Sequence, residues 1–234
     1  MKRIGIIGAM DIEVKELISS MVDIKKETIS SIDFYEGKLE GNNVVVAECG
    51  IGKVYAAVCA QTMILKYEPD LVINTGVAGS LSIDLDIADI VISDGVVQHD
   101  YDASPIGIPA GMISEINLIK LPCNEELVKK LVKAAEILKE TNIAVGTIAS
   151  GDQFICSKEK KDYIANTFDA LCTEMEGAAI GHVCYINNVD FCIIRAISDR
   201  ADGAAHMDFD TFVEIAVEKT IMLVNNFLKQ ESAL

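Results

Sequence analysis

Residues 171–179 read Leu-Cys-Thr-Glu-Met-Glu-Gly-Ala-Ala, which puts two carboxylates close together at the end of an apolar run. If the chain is still extended there, Glu174 and Glu176 point to one face and Met175 to the other. Gly177-Ala178-Ala179 then opens a helical pattern. A strand end that runs into a helix is where α/β folds place ligand groups. Acidic residues at such a point can equally do no more than cap the helix and complement its dipole. Two further acids shift the balance. Glu13 and Asp199 stand at other predicted strand ends, and carboxylates gathered from separate strands can divide the work of a general acid and a general base. Each residue taken singly has a plainer reading. Glu13 would be a solvated glutamate in a first helical turn, Asp199 a turn aspartate, Arg195 a partner for any nearby acid, and Phe154 a core side chain. Together they fit a site better.

The elements that must position these groups follow from the patterning. Lys2 to Ile7 is a continuous β-rich run, as in a strand buried on both faces. Its basic start and short apolar core resemble a weak signal peptide, but glycine interrupts the run and Asp11 and Glu13 follow at once, so a first strand is expected. Asp11 suits a helix N-cap, and Val14, Leu17, Ile18 and Met21 repeat at helical spacing. Lys25–Ser30, Asp33–Leu39 and Val44–Cys49 form a meander. Gly50-Ile51-Gly52-Lys53 then leads into an apolar helix that stops before Pro69. Leu71–Asn74 is a buried strand. Thr75-Gly76-Val77-Ala78-Gly79-Ser80 reads as a turn whose glycines let backbone approach a ligand.

Ile87–Val97 is a strand region, and residues 98–117, with Pro105 and Pro109, are the longest irregular stretch, expected to be functional or interfacial. Asn124 opens an amphipathic helix with Leu127, Leu131, Ala134 and Leu138 facing inward. Ile143–Ala149 is a strand running into Ser150-Gly151-Asp152-Gln153-Phe154-Ile155, with Ser157 placed to cap the next helix. Phe191–Ser198 is the last strand and ends at Asp199. A final helix from about 208 to 229 buries Phe209, Phe212, Val213, Ala216, Thr220, Leu223, Val224 and Phe227. Such alternation predicts one domain over 1–234: a three-layer α/β/α arrangement around a central mixed, largely parallel twisted sheet.

Bulk properties narrow the classes. The chain has 234 residues, enough for one large α/β domain; 50% are hydrophobic and 24% charged. The net charge of −16, with no Lys/Arg block to offset it, argues against nucleic acid and anionic membranes as partners. No apolar stretch is long enough to span a bilayer. Seven scattered cysteines without a Cys-x-x-Cys read as buried free thiols of a cytosolic protein. Three dispersed histidines give no metal-ligand spacing.

Six motifs run in order along the chain: M-D-I-E, G-I-G-K-V, N-T-G-V-A-G, S-G-D-Q-F-I, T-E-M-E-G-A-A and R-A-I-S-D-R-A-D. In this order the sequence resembles the purine nucleoside phosphorylase superfamily. More narrowly, and over essentially its whole length, it resembles the 5′-methylthioadenosine/S-adenosylhomocysteine nucleosidase family. The resemblance implies a nucleoside phosphorylase-like fold, a homodimer, no cofactor and no metal. It also implies hydrolysis of an N-glycosidic bond, releasing adenine and a thioribose. On the matching positions it implies Glu13 as the base that activates water and Asp199 as the acid at adenine N7. Glu176, with Met175 beside it, would hold the ribose hydroxyls, and Arg195 would line the water and ribose region. Phe154 would stack on adenine, with the Ile155 backbone at its edge. Met10, Ile51 and Phe209 would line the sugar face and the 5′-alkylthio pocket. Ser198 and Ala201 would orient Asp199 or the base, and Val77, Ala78, Gly79 and Glu174 would complete the pocket.

The chemistry itself asks for such residues. Cleavage at C1′ leaves positive charge on the ribose and negative charge on the departing purine. An acid at N7 neutralises the leaving group while a base opposite delivers water. For this, the Asp199 carboxyl must hold a proton well above its ordinary range, or share one with the base. Two departures from the family pattern bear on the site. Val77 stands where relatives commonly carry serine, so water placement falls more to Glu13 and Arg195. The 103–114 segment lacks the aromatic pattern that often caps a partner's pocket, and Ile106 is the best match for the capping side chain. Rival readings are a phosphorylase, a futalosine-type or other 6-oxopurine nucleosidase, and a nucleoside-binding module without catalysis. Phosphate capture favours arginine clusters or anion nests. The chain has three arginines, Arg3, Arg195 and Arg200, none of them in the loops where phosphorylases of the superfamily carry theirs.

Overall fold

The computed structural model describes residues 2–201 and 205–233, with side chains left undescribed at 205–208; Asp202, the last residue of the sixth motif, lies outside the described residues. The strands are β1 (Arg3–Gly8), β2 (Val22–Ile29), β3 (Ile32–Leu39), β4 (Asn42–Glu48), β5 (Leu71–Ser80), β6 (Ile90–Gln98), β7 (Leu121–Pro122), β8 (Ile143–Ser150), β9 (Ala170–Glu174) and β10 (Asp190–Asp199). The helices are α1 (Asp11–Ser20), α2 (Lys53–Tyr67), α3 (Glu125–Ala135), α4 (Lys158–Phe168), α5 (Gly177–Ile186) and α6 (Ala205–Ser232). Among the described residues, no helix is long and apolar enough to cross a membrane.

The sheet is mixed, and its centre is parallel: β4, β1, β5 and β10 lie side by side in one direction. These are the strands with nearly unbroken apolar runs, as burial on both faces requires. The β2–β3–β4 meander is antiparallel and flanks this centre. On the other side β6 pairs antiparallel with β10 and parallel with β8, and β8 pairs parallel with β9. Helices cover both faces. α2 and α5 pack into one hydrophobic cluster, and α1, α3 and α6 into a second. α4 closes a smaller third cluster through Ile164 and Phe168. The arrangement is the expected α/β/α layering.

The inward stripe of α3 holds, with Leu127, Leu131 and Ala134 buried and Asn124 accepting the Leu127 N–H; α3 stops at Ala135, so Leu138, also buried, packs from the turn beyond it. Ser157 likewise caps α4, accepting from Lys160 N–H at 3.3 Å. Three local expectations change. Thr75–Ser80 is the second half of β5 rather than a turn. Gly76 and Gly79 stay in the ladder because β10 continues to pair alongside, with Arg195 opposite Gly76 and Asp199 opposite Gly79. The N-cap of α1 is Met10, one residue before Asp11. Finally, Cys156 is exposed while the other six cysteines are buried; all seven are free thiols.

The 98–117 segment carries a short 3₁₀ turn at Ser104–Ile106 and an isolated bridge between Ile113 and Leu118. Ile106 stands on its surface, 78% exposed.

Candidate active site

The carboxyl ends of the central strands open onto a cleft of about 410 Å³, lined by residues from α1, β5, β9, β10, α6 and the connections after β1, β4, β8 and β9. Glu13, Glu174, Glu176 and Asp199 all border it, although they come from three separate parts of the chain. The rest of its wall is mainly apolar. Of the residues singled out in the sequence, Met10, Ile51, Val77, Ala78, Gly79, Phe154, Met175, Ser198 and Phe209 also line it. Ala9, Thr173 and Asp210 also line it and were not anticipated. Arg195, Ile155 and Ala201 stand one layer behind the wall. Arg195 is buried beneath Glu174, and Ile155 and Ala201 sit in the third hydrophobic cluster.

Glu13 reaches its place because β1 ends at Gly8 and α1 begins almost at once. Its Oε2 accepts the backbone N–H groups of Ala9 at 2.7 Å and Met10 at 3.0 Å, closing the first turn of α1 from within. Its Oε1 accepts the Val77 N–H at 3.2 Å. The carboxylate lies directly over Gly76, where any Cβ would overlap its Oε1, with its carboxyl carbon only 2.8 Å away. The glycine in N-T-G-V-A-G therefore makes room for the Glu13 carboxyl rather than for a turn. Burial pushes the Glu13 carboxyl above the ordinary range, while Arg195 and the three N–H groups pull against that shift. A buried carboxylate with a raised pKa is a stronger base than a free one.

The Glu174–Glu176 stretch does not stay extended. β9 stops at Glu174 and the chain bends, with Glu176 at φ −133° and ψ −41° as the residue before α5. The two acids then take different work. Glu174 Oε2 accepts the N–H groups of Glu176 at 3.1 Å and Gly177 at 2.7 Å, so Glu174 caps α5. The next free N–H, that of Ala178, goes to Ser150 Oγ at 2.6 Å, and Ser150 donates to Glu174 Oε1. Glu174 also pairs with Arg195. Glu176 makes no cap bond and is left to face the cleft. Its Oε1 accepts the Gly52 N–H at 2.8 Å, and its Oε2 stands 4.0 Å from Arg195. Burial, and after it the charge of Glu174, pushes the Glu176 carboxyl up to about 8.

Arg195 is the only arginine among the described residues near the cleft. Its guanidinium is held by Glu174 and by Asn74 Oδ1 at 2.5 Å, and Asn74 in turn donates to the Ile7 carbonyl at 2.8 Å. The other two arginines are occupied elsewhere, Arg3 with Glu36 and Arg200 with Asp86. Asp199 ends β10. Its Oδ2 accepts Ser198 Oγ–H at 2.9 Å and its Oδ1 accepts the Ala201 N–H at 2.8 Å. A Cβ at Gly79 would sit 2.7 Å from Asp199 Oδ1, so this glycine too is space reserved for an acid. Phe154 stands at the rim, 47% exposed, edge-on to Phe209 with ring centres 6.1 Å apart.

The site thus sets four buried carboxylates, with Asp210 as a fifth on the cleft wall, against one guanidinium in a mostly apolar cleft. Such a cleft takes an uncharged ligand with a flat apolar part, and it stabilises positive charge that develops on it. Comparison with known proteins agrees. Residues 3–229 match the family model of the phosphorylase superfamily. The chain is 42% identical to the 5′-methylthioadenosine/S-adenosylhomocysteine nucleosidase of Shewanella loihica, over 97% of this chain and 99% of that one. Its structure is similar to that of the Neisseria meningitidis nucleosidase of the same name, in complex with methylthio-immucillin-A, with a TM-score of 0.94, 34% identity and 98% and 100% of the two chains covered. The futalosine hydrolase of Helicobacter pylori gives a TM-score of 0.93 at 34% identity, with 98% of each chain covered. The chain belongs to the phosphorylase superfamily, and within it to the 5′-methylthioadenosine/S-adenosylhomocysteine nucleosidases.

Proposed function

We propose that this chain hydrolyses the N-glycosidic bond of 5′-methylthioadenosine and S-adenosylhomocysteine, and also of 5′-deoxyadenosine, releasing adenine and the corresponding sugar. The observation that carries this reading is the convergence of Glu13, Glu176 and Asp199 on one cleft whose single nearby arginine is already engaged by Glu174. Glu13 takes a proton from water as it attacks C1′. Asp199 supplies the hydrogen bond or proton at N7, held in orientation by Ser198 and the Ala201 N–H. Glu176 holds the ribose hydroxyls beside Met175. In its ionised form its charge then favours the cationic sugar of the transition state. Phe154 covers the base, the Ile155 backbone meets its edge, and Met10, Ile51 and Phe209 receive the 5′-alkylthio group. Arg195 acts from behind, through Glu174.

Hydrolysis is favoured over phosphorolysis because, among the described residues, Arg195 is already engaged by Glu174 and Asn74, and Arg3 and Arg200 pair elsewhere. Mixing the protein with methylthioadenosine, with and without phosphate, tests this. Adenine should appear at the same rate in both. A strict need for phosphate would reverse the reading. The likeness to a futalosine hydrolase supports a second substrate with another 5′-substituent in the same cleft, and futalosine belongs in the same assay.

A homodimer is part of the proposal. Ile51, Val54, Tyr55, Val58 and Leu65 are all exposed and recur at helical spacing at the start of and along α2, an apolar stripe unusual for a surface helix. Residues 98–117, with Ile106 outermost, would complete the partner's pocket. Sedimentation at micromolar concentration should give a dimer, and Val54→Glu should give a monomer with reduced activity. A fully active monomer would count against it. The free thiols fit a cytoplasmic setting.

A further inference from the structure

Beside the cleft lies a second polar cluster that the chemistry above does not use. Lys53 Nζ donates to Asp100 Oδ1 at 2.6 Å and to Gln98 Oε1 at 3.2 Å. Asp100 Oδ2 accepts the Asp152 N–H at 2.9 Å. Asp152 Oδ1 accepts the Lys53 N–H at 2.7 Å, which closes a ring of three residues from three segments. The Lys53 and Asp100 side chains are only 18% and 15% exposed, so this is not a solvated surface pair. The neighbouring N–H in the same turn, that of Gly52, is the one that donates to Glu176. Gly52 has φ +100°, a conformation reserved for glycine, and a Cβ there would stand 3.0 Å from Asp152 Oδ1. Two successive N–H groups of one turn are thus split, one to the ring and one to Glu176.

We propose that Asp152, Asp100 and Lys53 form a positioning clamp: it fixes the 50–53 turn so that the Gly52 N–H stays on Glu176, and it fixes the start of the segment that carries Phe154. The clamp joins the sugar end of the cleft to its base end without touching substrate. As a device for substrate it rests on the reading of Glu176 as the sugar-binding acid. Its structural core, the Gly52 N–H held on Glu176, does not.

The charges around Glu176 set the sign of the test. Glu174 on β9 and Glu13 on α1 raise its carboxyl, and Arg195 on β10 and the Gly52 N–H lower it. Cys49, just after β4, also faces it. On the clamp side stand Lys53, Asp100, Asp152 and His99. Removing the negative charge of Asp152 by itself would move the Glu176 titration down. Releasing the Gly52 N–H would move it up, because a donor to the charged form is lost.

Asp152→Ala does both, whereas Asp152→Asn removes the charge but keeps an oxygen for the Lys53 N–H. Asp152 lies at the surface, so neither change disturbs the core. The experiment is a carbon-13 NMR titration of the unliganded protein labelled at glutamate Cδ, with the Glu176 signal assigned by its loss in Glu176→Gln. Asp152→Ala should raise the midpoint by about one pH unit, the size expected for part of one hydrogen bond to a charged group. Asp152→Asn should leave it at or slightly below the wild-type value. If both variants move alike, or neither moves, the clamp is wrong. Adenine release by the wild-type protein is measured separately. Its absence would remove the sugar-binding reading while the titration still decides the clamp.

Discussion

Replacing Glu13 by glutamine should lower kcat by about 10²–10⁴-fold while the nucleoside still binds, because general base help acts on the transition state. The structure adds a second consequence. Glu13 meets only N–H donors, two on Oε2 and one on Oε1. A glutamine must turn its NH₂ toward at least one of them, leaving a buried donor facing a donor. Glu13→Gln should therefore also cost about 1–3 kcal/mol of stability. Asp199→Asn is the cleaner partner experiment. Asparagine can keep the Ala201 N–H on its oxygen and give its NH₂ to Ser198 Oγ, so the two contacts survive. It cannot deliver a proton, and kcat should fall by at least ~10²-fold. Single-turnover kinetics with an equilibrium binding assay separates these effects. Near-normal kcat in Asp199→Asn would remove Asp199 from the acid role.

The second large effect concerns folding. Arg195 is nearly fully buried and offsets the charge of Glu174, itself buried and committed to the α5 cap. Arg195→Met leaves that carboxylate without its cation among Glu13 and Glu176. Breaking a buried pair from one side costs about 3–5 kcal/mol. For a domain of this length that is a drop in Tm on the order of 10 °C. Arg195→Met combined with Glu174→Gln should be less destabilised than Arg195→Met alone, since the stranded charge is gone while an oxygen remains for the cap. Denaturant unfolding of the three variants reads this directly. A single mutant within about 1 kcal/mol of wild type would show that the pair is not what holds the strand ends together.

Much of the fold was legible because the central strands are bare apolar runs and the helices carry clear stripes. The acids were legible as a set because each lies at or just beyond the carboxyl end of a strand. What the sequence did not reveal depends on partners far along the chain. Gly76 and Gly79 read locally as a turn, yet they lie in a ladder held by β10 and serve as space for Glu13 and Asp199. The division between Glu174 and Glu176 follows from a bend after β9, which alternation along a strand cannot foresee. Ser150 and Asn74 hold Glu174 and Arg195 from 24 and 121 residues away; each opens one of the six motifs, but nothing local in the sequence names its partner. The Lys53–Asp100–Asp152 ring likewise exists only once three segments meet.

The central claim is that water, activated by Glu13, is the group that replaces adenine. It is tested by turning over methylthioadenosine in oxygen-18 water that also contains phosphate, and weighing the sugar product by mass spectrometry. Attack by water places one labelled oxygen at C1 of methylthioribose and yields no sugar phosphate. An unlabelled sugar 1-phosphate, formed alongside free adenine, would contradict it.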